Sequence, residues 1–415
     1  MSANLGQTLK GFRDFIPSEK RKRDFIEGKI KKVFERYGFL PIETPTIESA
    51  SLLLGKYGKE ADKLVYTFED NGGRRVGLKY DQTVPTTRFL ANHKGKLPAY
   101  FRRYQLQNVF RAEKPQKGRY REFKQCDIDI FGAKEGVSDA EVIACTFDVY
   151  KEIGFSDIQI LINDRKTLLD TIKPFVTDPV DVFSIIQTID KLDKMSKELV
   201  VEELVKKGLS LESANRCLEA VFKTSPSDSL TNIIKLAKEL GVPGPSIVFT
   251  PYLARGLDYY TGMILEVVLK GRKGSLGGGG RYNNLVKELS GQDIPAVGVG
   301  LGFDRIVEVA DELGLIPDEN NTSVFVTVFS NDLLDKSLEV ANKLRLLNVP
   351  TEVFVGEVKG ISKQLKYANK LGSRYVVVIG ENEAKDNSLL IKDMESGEQK
   401  IIKLDEIKAW VKEIL

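Results

Sequence analysis

The sequence predicts an α+β protein in two domains, and three stretches of its 415 residues carry that reading. Tyr104–Arg111 and Phe123–Phe131 alternate in polarity as strands do, with the charged stretch Glu113–Arg121 between them. That is an antiparallel hairpin with a long polar tip. Asp164–Val248 then loses strand signal and holds helical patterns broken by Pro and Gly, which reads as a helical insertion. Beyond Pro317–Thr322, a polar and proline-bearing linker, β and α patterns alternate at lengths suited to a small α/β domain with a covered sheet. A chain of this length exceeds what a single core fills. The expected division is residues 1–321, with the insertion at about 165–248, followed by residues 322–415.

Each element has its own local reason. Gly11–Pro17 reads as a loop, and Pro17–Ser18 opens a helix because Ile26, Ile30, Val33 and Tyr37 follow at helical spacing among Lys and Arg. Tyr37-Gly38 ends it, Pro41–Pro45 begins an extended segment, and Val76–Tyr80 alternates as a strand. Within Phe123–Phe131, Cys126, Ile128 and Ile130 fall on one side, and Gln125, Asp127 and Asp129 on the other. Asp139–Ile153 is an amphipathic helix and Phe155–Ile162 a strand. Inside the insertion, helices are expected over Val180–Ile189, Lys197–Lys206, Ala214–Phe222 and Leu230–Leu240. Strand signal returns at Met263–Leu269; Gly277–Gly280, a helix from Tyr282 and a strand Ala296–Leu301 follow. The last domain reads as strand Val324–Phe329, helix Leu333–Leu347, strand Thr351–Val355, helix Ile361–Leu371, strands Tyr375–Ile379 and Leu389–Lys392, and helix Leu404–Ile414.

Composition narrows the chemistry. Hydrophobic residues at 42% and charged residues at 29% describe an ordinary globular chain. A net charge of +3, from 62 Lys+Arg against 59 Asp+Glu, neither demands nor excludes a nucleic-acid partner, because a basic patch can sit inside a near-neutral total. Cys126, Cys145 and Cys217 form no CxxC pair and are odd in number, so neither a zinc site nor a disulfide framework is expected. His93 is the only histidine, among polar residues, and a surface position is expected for it. Triads, Cys-His dyads and multi-histidine metal sites would all have to share that one imidazole. Met1–Lys10 lacks an apolar core and no apolar run is long enough to span a bilayer, which predicts a soluble cytoplasmic protein.

Four segments carry the chemistry. Arg111 and Glu113 stand at a strand end, while Arg121, Phe123 and Gln125 return on the next strand. A guanidinium, an aromatic face and an amide on one side of a sheet make a floor that pairs a phosphate and stacks a planar base. The plain alternative is exposed strand neighbours. Arg255–Tyr260, RGLDYY, is either a turn into a strand with core tyrosines or a ligand contact. Gly277–Gly280, before Arg281-Tyr282, lets backbone approach a ligand closely, or is a flexible hairpin turn. Gly298–Gly302, followed by Phe303-Asp304-Arg305, lacks the dinucleotide spacing and fits a strand packed closely on a helix whose first turn presents an arginine. No GxxxxGK[ST] phosphate loop occurs.

Together these segments resemble the three signature motifs of class II aminoacyl-tRNA synthetases, and specifically those of the histidine family. Phe34–Glu48, a helix and then YGFLPIETPTIE, is similar to the dimer-forming motif 1. Arg111–Gln125, RAEKPQKGRYREFKQ, is similar to motif 2, and Ala296–Arg305, AVGVGLGFDR, to motif 3. RGLDYY, GGGGRY and the opening Lys10–Pro17 are the sharper, histidine-specific strings. The resemblance covers nearly the whole chain. It implies a class II catalytic domain, an antiparallel sheet flanked by helices with a helical insertion, then a C-terminal α/β anticodon-binding domain, in a homodimer.

The resemblance also implies a reaction. Histidine's carboxylate attacks the α-phosphate of ATP, pyrophosphate leaves, and the histidyl group passes to the 3' end of tRNA(His). The nucleophile belongs to the substrate, so no protein Ser, Cys or His is needed. By resemblance Arg111 and Arg255 are catalytic, holding the α-phosphate from opposite sides. Arg305 grips the γ-phosphate, Phe123 stacks under adenine, Glu113 lies near its edge, and Mg2+ rides on the β- and γ-phosphates. Asp81, Thr83 and Gln125 take the α-amino group, while Asp129 and Tyr260 face the imidazole with Tyr259 nearby. Many relatives carry Glu at the positions of Asp81 and Asp129, so the shorter arms shift the reach of those contacts. Lys114, Gln116 and Arg119 in the motif 2 loop are placed to meet the tRNA acceptor end. A non-charging regulatory relative of ATP phosphoribosyltransferase, from histidine biosynthesis, shares the fold and is the alternative. Such relatives generally lack the anticodon-binding domain and erode the phosphate-binding arginines, whereas Arg111, Arg255 and Arg305 are all present here.

Overall fold

A computed structural model describes residues 6–54, 64–114, 118–255, 259–317, 323–358 and 360–414. The chain divides into two compact units, Met1–Ile316 and Pro317–Leu415. The strands of the first unit are β1 Leu40–Pro41, β2 Ile47–Ser49, β3 Thr67–Glu69, β4 Arg75–Leu78, β5 Phe101–Phe110, β6 Glu122–Phe131, β7 Ile158–Asp164, β8 Ile247–Phe249, β9 Met263–Leu269, β10 Ser275–Arg281 and β11 Ala296–Gly302. Eight of them form one sheet in the order β1-β5-β6-β11-β10-β9-β7-β8. From β5 across to β7 every pairing is antiparallel; only the edge strands β1 and β8 pair parallel. β2, β4 and β3 make a small separate sheet.

Helices Pro17–Arg36 and Val137–Ile153 cover one face of the large sheet. Ile26, Ile30, Val33 and Phe34 of the first, and Ile143, Val149 and Tyr150 of the second, share one core with Cys126, Ile128 and Ile130 of β6. The alternation along β6 thereby commits Gln125, Asp127 and Asp129 to the opposite face. Pro17 sits at the first helical position, where its missing N–H costs nothing, and Gly154 ends the second helix at φ 114°.

Helices Arg165–Ile172, Val182–Ile189, Lys197–Lys207 and Leu211–Lys223 bury Leu168, Ile185, Val200, Leu204, Leu218 and Val221 in a core of their own. Asp228–Glu239 behaves differently: its Leu230, Ile233 and Ala237 join the main core. The second unit has strands β12 Val324–Val326, β13 Thr351–Val353, β14 Tyr375–Val378, β15 Ser388–Asp393 and β16 Gln399–Lys403, in the order β13-β12-β14-β15-β16. Its core includes Val326, Leu344, Val377, Ile391 and Trp410, from both sheet and helices.

The structure decides one alternative and adds two details. Gly277–Gly280 is no turn; it lies inside β10, hydrogen-bonded between β9 and β11. Thr83–His93 is a helix that apolar periodicity did not announce, because Pro85 and four threonine or valine residues depress its intrinsic propensity. His93, at the end of that helix, is partly exposed with its ring 4.7 Å from that of Phe89, and it is not among the residues that line the cavity described below.

Candidate active site

The site grows from one strand register. β6 presents Gln125, Asp127 and Asp129 on a single face, and β11 sets Gly302, Gly300 and Gly298 directly opposite them. β10 in turn sets Gly278 and Gly280 opposite Gly300 and Gly298. A Cβ on Gly298 would lie 1.8 Å from Asp129 Oδ1, and one on Gly300 would lie 2.9 Å from Asp127 Oδ1. On Gly278 it would meet Arg255 Nη1 at 2.2 Å. The glycines at every second position therefore leave room for two carboxylates and a guanidinium to lie over the sheet. Close strand-to-helix packing, the reading from sequence, is not their reason.

Above this floor is a cavity of about 360 Å³. Asp81, Thr83, Arg111, Gln125, Asp129, Arg255, Tyr259 and Tyr260 all line it. Gln82 positions the first two: its Nε2 donates to the carbonyls of Gln107 and Gln125, both at 3.1 Å, fastening the start of helix Thr83–His93 to β5 and β6. Asp81 Oδ1 accepts the Val84 amide at 3.2 Å and so caps that helix. Arg111 Nε donates to the Tyr80 carbonyl at 3.2 Å, and its guanidinium lies 4.9 Å from the Phe123 ring centroid.

Arg255 adopts φ 54°, a left-handed conformation uncommon outside glycine. Its N–H donates to Asp190 Oδ1 at 3.1 Å, and its Nη1 lies 3.8 Å from Glu266 Oε2. The rings of Tyr259 and Tyr260 are 4.6 Å apart, and Tyr259 meets Tyr282 edge-on at 5.7 Å. Gly256, Leu257 and Asp258 of RGLDYY lie outside the described residues.

Other predicted residues stand apart from the cavity lining. Glu113 accepts Arg121 Nε at its carbonyl, 3.2 Å away, and its carboxylate is 4.0 Å from Arg119. Arg305 is exposed, donates to the Ser275 carbonyl at 2.8 Å, and lines a second, smaller hollow with Arg272 and Lys273. Lys114 and Arg119 are exposed; Gln116 lies outside the described residues. Asp304 beside Arg305 is structural: it accepts Arg13 at 2.5 Å, Arg23 at 2.6 Å and the Lys124 amide at 3.1 Å. That clamp ties Arg13 of the opening Lys10–Pro17 to the start of the helix that follows β11.

Sequence reasoning assigned no role to Asp127, Arg103, Tyr282 or the individual floor glycines. Arg103, wholly buried, is the register partner of Asp129 on β5, and its Nη2 lies 2.5 Å from Asp129 Oδ2. The Tyr282 hydroxyl donates to Asp129 Oδ1. Burial raises the Asp129 carboxyl while Arg103 and Tyr282 lower it, with the net direction upward. Asp127 is pushed up to about 7, by burial first, then Asp129 and Asp81, against Arg103 and Arg111. Alternation along β6 was the signal that could have found Asp127. The register that pairs Arg103 with Asp129 leaves no trace in local sequence.

Anionic side chains thus rise from β6, and a guanidinium lies over β10, around one cavity. Such an arrangement has the charges to take a zwitterion and an anionic phosphate side by side. Sheet order, the glycine-paved face and the α/β unit that follows define the class II aminoacyl-tRNA synthetase architecture. The chain belongs to the histidyl-tRNA synthetase family: residues 11–306 match the Histidyl-tRNA synthetase family and residues 323–414 the Anticodon binding domain family. It is 37% identical to the histidine–tRNA ligase of Wolinella succinogenes, over 95% of each chain. The crystal structure of histidyl-tRNA synthetase from Nostoc sp. PCC 7120 matches with a TM-score of 0.84 at 30% identity, covering 99% of each chain. A Bacillus halodurans protein described as an ATP phosphoribosyltransferase regulatory subunit/histidyl-tRNA synthetase shares the fold, with a TM-score of 0.74 at 19% identity over 88% of this chain and 97% of that one.

Proposed function

We propose that this chain is a histidine–tRNA ligase, which activates L-histidine with ATP to histidyl-adenylate and transfers it to the 3' end of tRNA(His). The observation that carries this reading is the single cavity in which Arg111 and Arg255 meet Asp81 and Asp129 over glycine. Histidine's carboxylate oxygen bonds to the α-phosphorus as the bond to pyrophosphate breaks. The transition state gathers negative charge on the phosphoryl oxygens, and prepositioned guanidinium groups neutralise it without reorganising. Arg111 and Arg255 are assigned that work. Phe123 beneath adenine and Glu113 at its edge complete the nucleotide site, with Arg305 swinging from Ser275 to the γ-phosphate. Magnesium is assigned to the β- and γ-phosphates of the ATP substrate; among the described residues no three His, Cys, Asp or Glu side chains converge to hold a cation.

Asp81, Thr83 and Gln125 are assigned to the α-amino group, and Asp129, Tyr260 and Tyr259 to the imidazole. A pocket built to hydrogen-bond that ring rejects amino acids lacking its nitrogens, because its buried polar groups would be left unpaired. Lys114, Gln116 and Arg119 are assigned to the tRNA acceptor end. A homodimer would cover Leu40, Ile47, Phe68 and Tyr100, exposed apolar residues on or beside β1 and the small sheet, and sedimentation tests it. The expected compartment is the cytoplasm; among the described residues no helix is long and apolar enough to cross a membrane.

ATP–pyrophosphate exchange with each amino acid in turn tests the assignment. Exchange with histidine alone is expected, and exchange with another amino acid, or with none, would overturn it. Arg255→Ala should lower the exchange rate on the order of 10²–10³-fold with the fold intact. Asp129→Ala should raise the KM for histidine.

A further inference from the structure

Three carboxylates line the cavity, and they differ in what they already hold. Asp129 is engaged on both oxygens: Tyr282 donates to Oδ1, and the Arg103 guanidinium lies 2.5 Å from Oδ2. Asp81 gives Oδ1 to the amide of Val84. Asp127 is 5% exposed, and its Oδ1 receives no hydrogen bond from the described residues. Gln125 Oε1, two residues earlier on the same strand face, is likewise a buried acceptor without a donor. Two neighbouring orphan acceptors, one of them a carboxylate, open into a cavity beside the arginines.

We infer that Asp127 joins Asp81 as a counter-ion of the substrate's α-ammonium group, beside the Gln125 Oε1 acceptor already assigned to it. The inference rests on the histidine-activating reading and adds a specificity residue to it. A buried carboxylate without a donor is costly, and an –NH3+ brings three N–H donors and a full positive charge to one point. A ligand without the ammonium leaves that cost in place. The glycine at position 300 keeps the approach open, since any Cβ there would press on Asp127 Oδ1.

The charged groups facing Asp127 come from several elements: Arg103 and Arg111 on or at the end of β5, Asp129 on β6, Asp81 before helix Thr83–His93, and Lys79 after β4. Their balance with burial holds its carboxyl near neutrality, at about 7. Where the free site carries a proton, the ammonium displaces it to buffer, leaving a carboxylate–ammonium pair.

The test compares L-histidine with 3-(imidazol-4-yl)propionate, which lacks only the amino group, on the full-length wild type and on Asp127→Asn. Binding is measured by calorimetry and by competition in ATP–pyrophosphate exchange. Asp127→Asn should weaken histidine on the order of 10–100-fold and change the deaminated ligand by no more than about twofold. The ammonium also lowers the imidazole pKa of histidine below that of the analogue, so each free ligand is titrated separately and its own ionisation subtracted; the residual difference isolates the contact of the ammonium with the protein. In the wild type, histidine's advantage over its analogue should shrink as pH falls through 7; in the variant it should stay flat. Equal weakening of both ligands, or no weakening, overturns the role of Asp127. A wild-type chain that binds neither ligand overturns the histidine reading and this inference with it.

Discussion

Gly298 and Gly278 lie under the same cavity but are needed for different reasons. A methyl at 298 meets Asp129 Oδ1 at 1.8 Å and the Ile128 carbonyl at 2.6 Å, and a paired strand cannot withdraw. Gly298→Ala should therefore be a folding defect, seen as a lowered unfolding midpoint or insoluble protein. The three atoms nearest a methyl at 278 all belong to the end of the Arg255 side chain, at 2.2–2.9 Å. Gly278→Ala should melt near wild type yet lose exchange activity, because the arginine is what moves; full activity would show that Arg255 acts from another position. Asp127 gives a third prediction. Its carboxyl rises from 3.8 to about 7, so the folded state holds the proton more tightly than the unfolded chain. The stability this provides is complete below about pH 4 and is lost as pH rises to about 7, on the order of a few kcal/mol. Asp127→Asn removes that slope, and the fall in unfolding midpoint between pH 5 and pH 8 should shrink; an unchanged slope would mean the carboxyl titrates normally. The polar face that carries Asp127 was legible as simple alternation along one strand. Its unpartnered oxygen was not, because that depends on Arg103 and Tyr282, from β5 and the end of β10, choosing Asp129 instead.

Between elements, two contacts decide how the site is held. The Arg255 N–H is bound by Asp190, which opens the turn after helix Val182–Ile189 in the insertion. A left-handed non-glycine residue costs on the order of 1 kcal/mol and persists only when its surroundings impose it. Asp190→Ala should lower the rate of adenylate formation and leave the unfolding midpoint nearly unchanged; retention of the full rate would show that the conformation needs no help from the insertion. Arg281 of GGGGRY has the opposite character. It is 1% exposed, and its Nε and Nη2 grip Asp139 at 2.8 and 2.7 Å, while Nη2 also donates to Lys134 and Ser138 and Nη1 to Ala133 and Asn283. Arg281→Ala would strand a buried carboxylate and should cost about 3–5 kcal/mol in denaturant unfolding. The motif thus joins the floor of the cavity to a structural bolt, and sequence displays both as one string. Strands with an apolar face, such as Met263–Leu269, could be read to the residue. β10 could not, because its glycines carry no hydrophobic signal and their pairing comes from β9 and β11. β16 was missed for a related reason: it is an exposed, lysine-bearing edge with little burial to pattern it.

At the scale of the whole molecule, the division of labour can be measured. Met1–Ile316 contains the entire cavity, and Pro317–Leu415 has a sheet and core of its own, including Trp410 and Leu344. Adenylate formation needs only the groups that touch ATP and histidine, all assigned to the first unit. Charging needs the tRNA as well, and the second unit matches the Anticodon binding domain family. At about a hundred residues that unit is large enough to fold by itself, so its removal need not expose the first unit's core. A chain ending at Pro317 should retain histidine-dependent ATP–pyrophosphate exchange within a fewfold, while kcat/KM for aminoacylating tRNA(His) falls by orders of magnitude. Salt separates the same two steps. Phosphate contacts release counter-ions, so raising ionic strength should weaken tRNA charging steeply and leave exchange nearly flat. With a net charge of only +3, that dependence must come from local basic patches and not from the field of the whole protein. If the shortened chain charged tRNA as well as the full one, with the same salt response, tRNA selection would reside in the first unit, and the motif 2 loop would carry it.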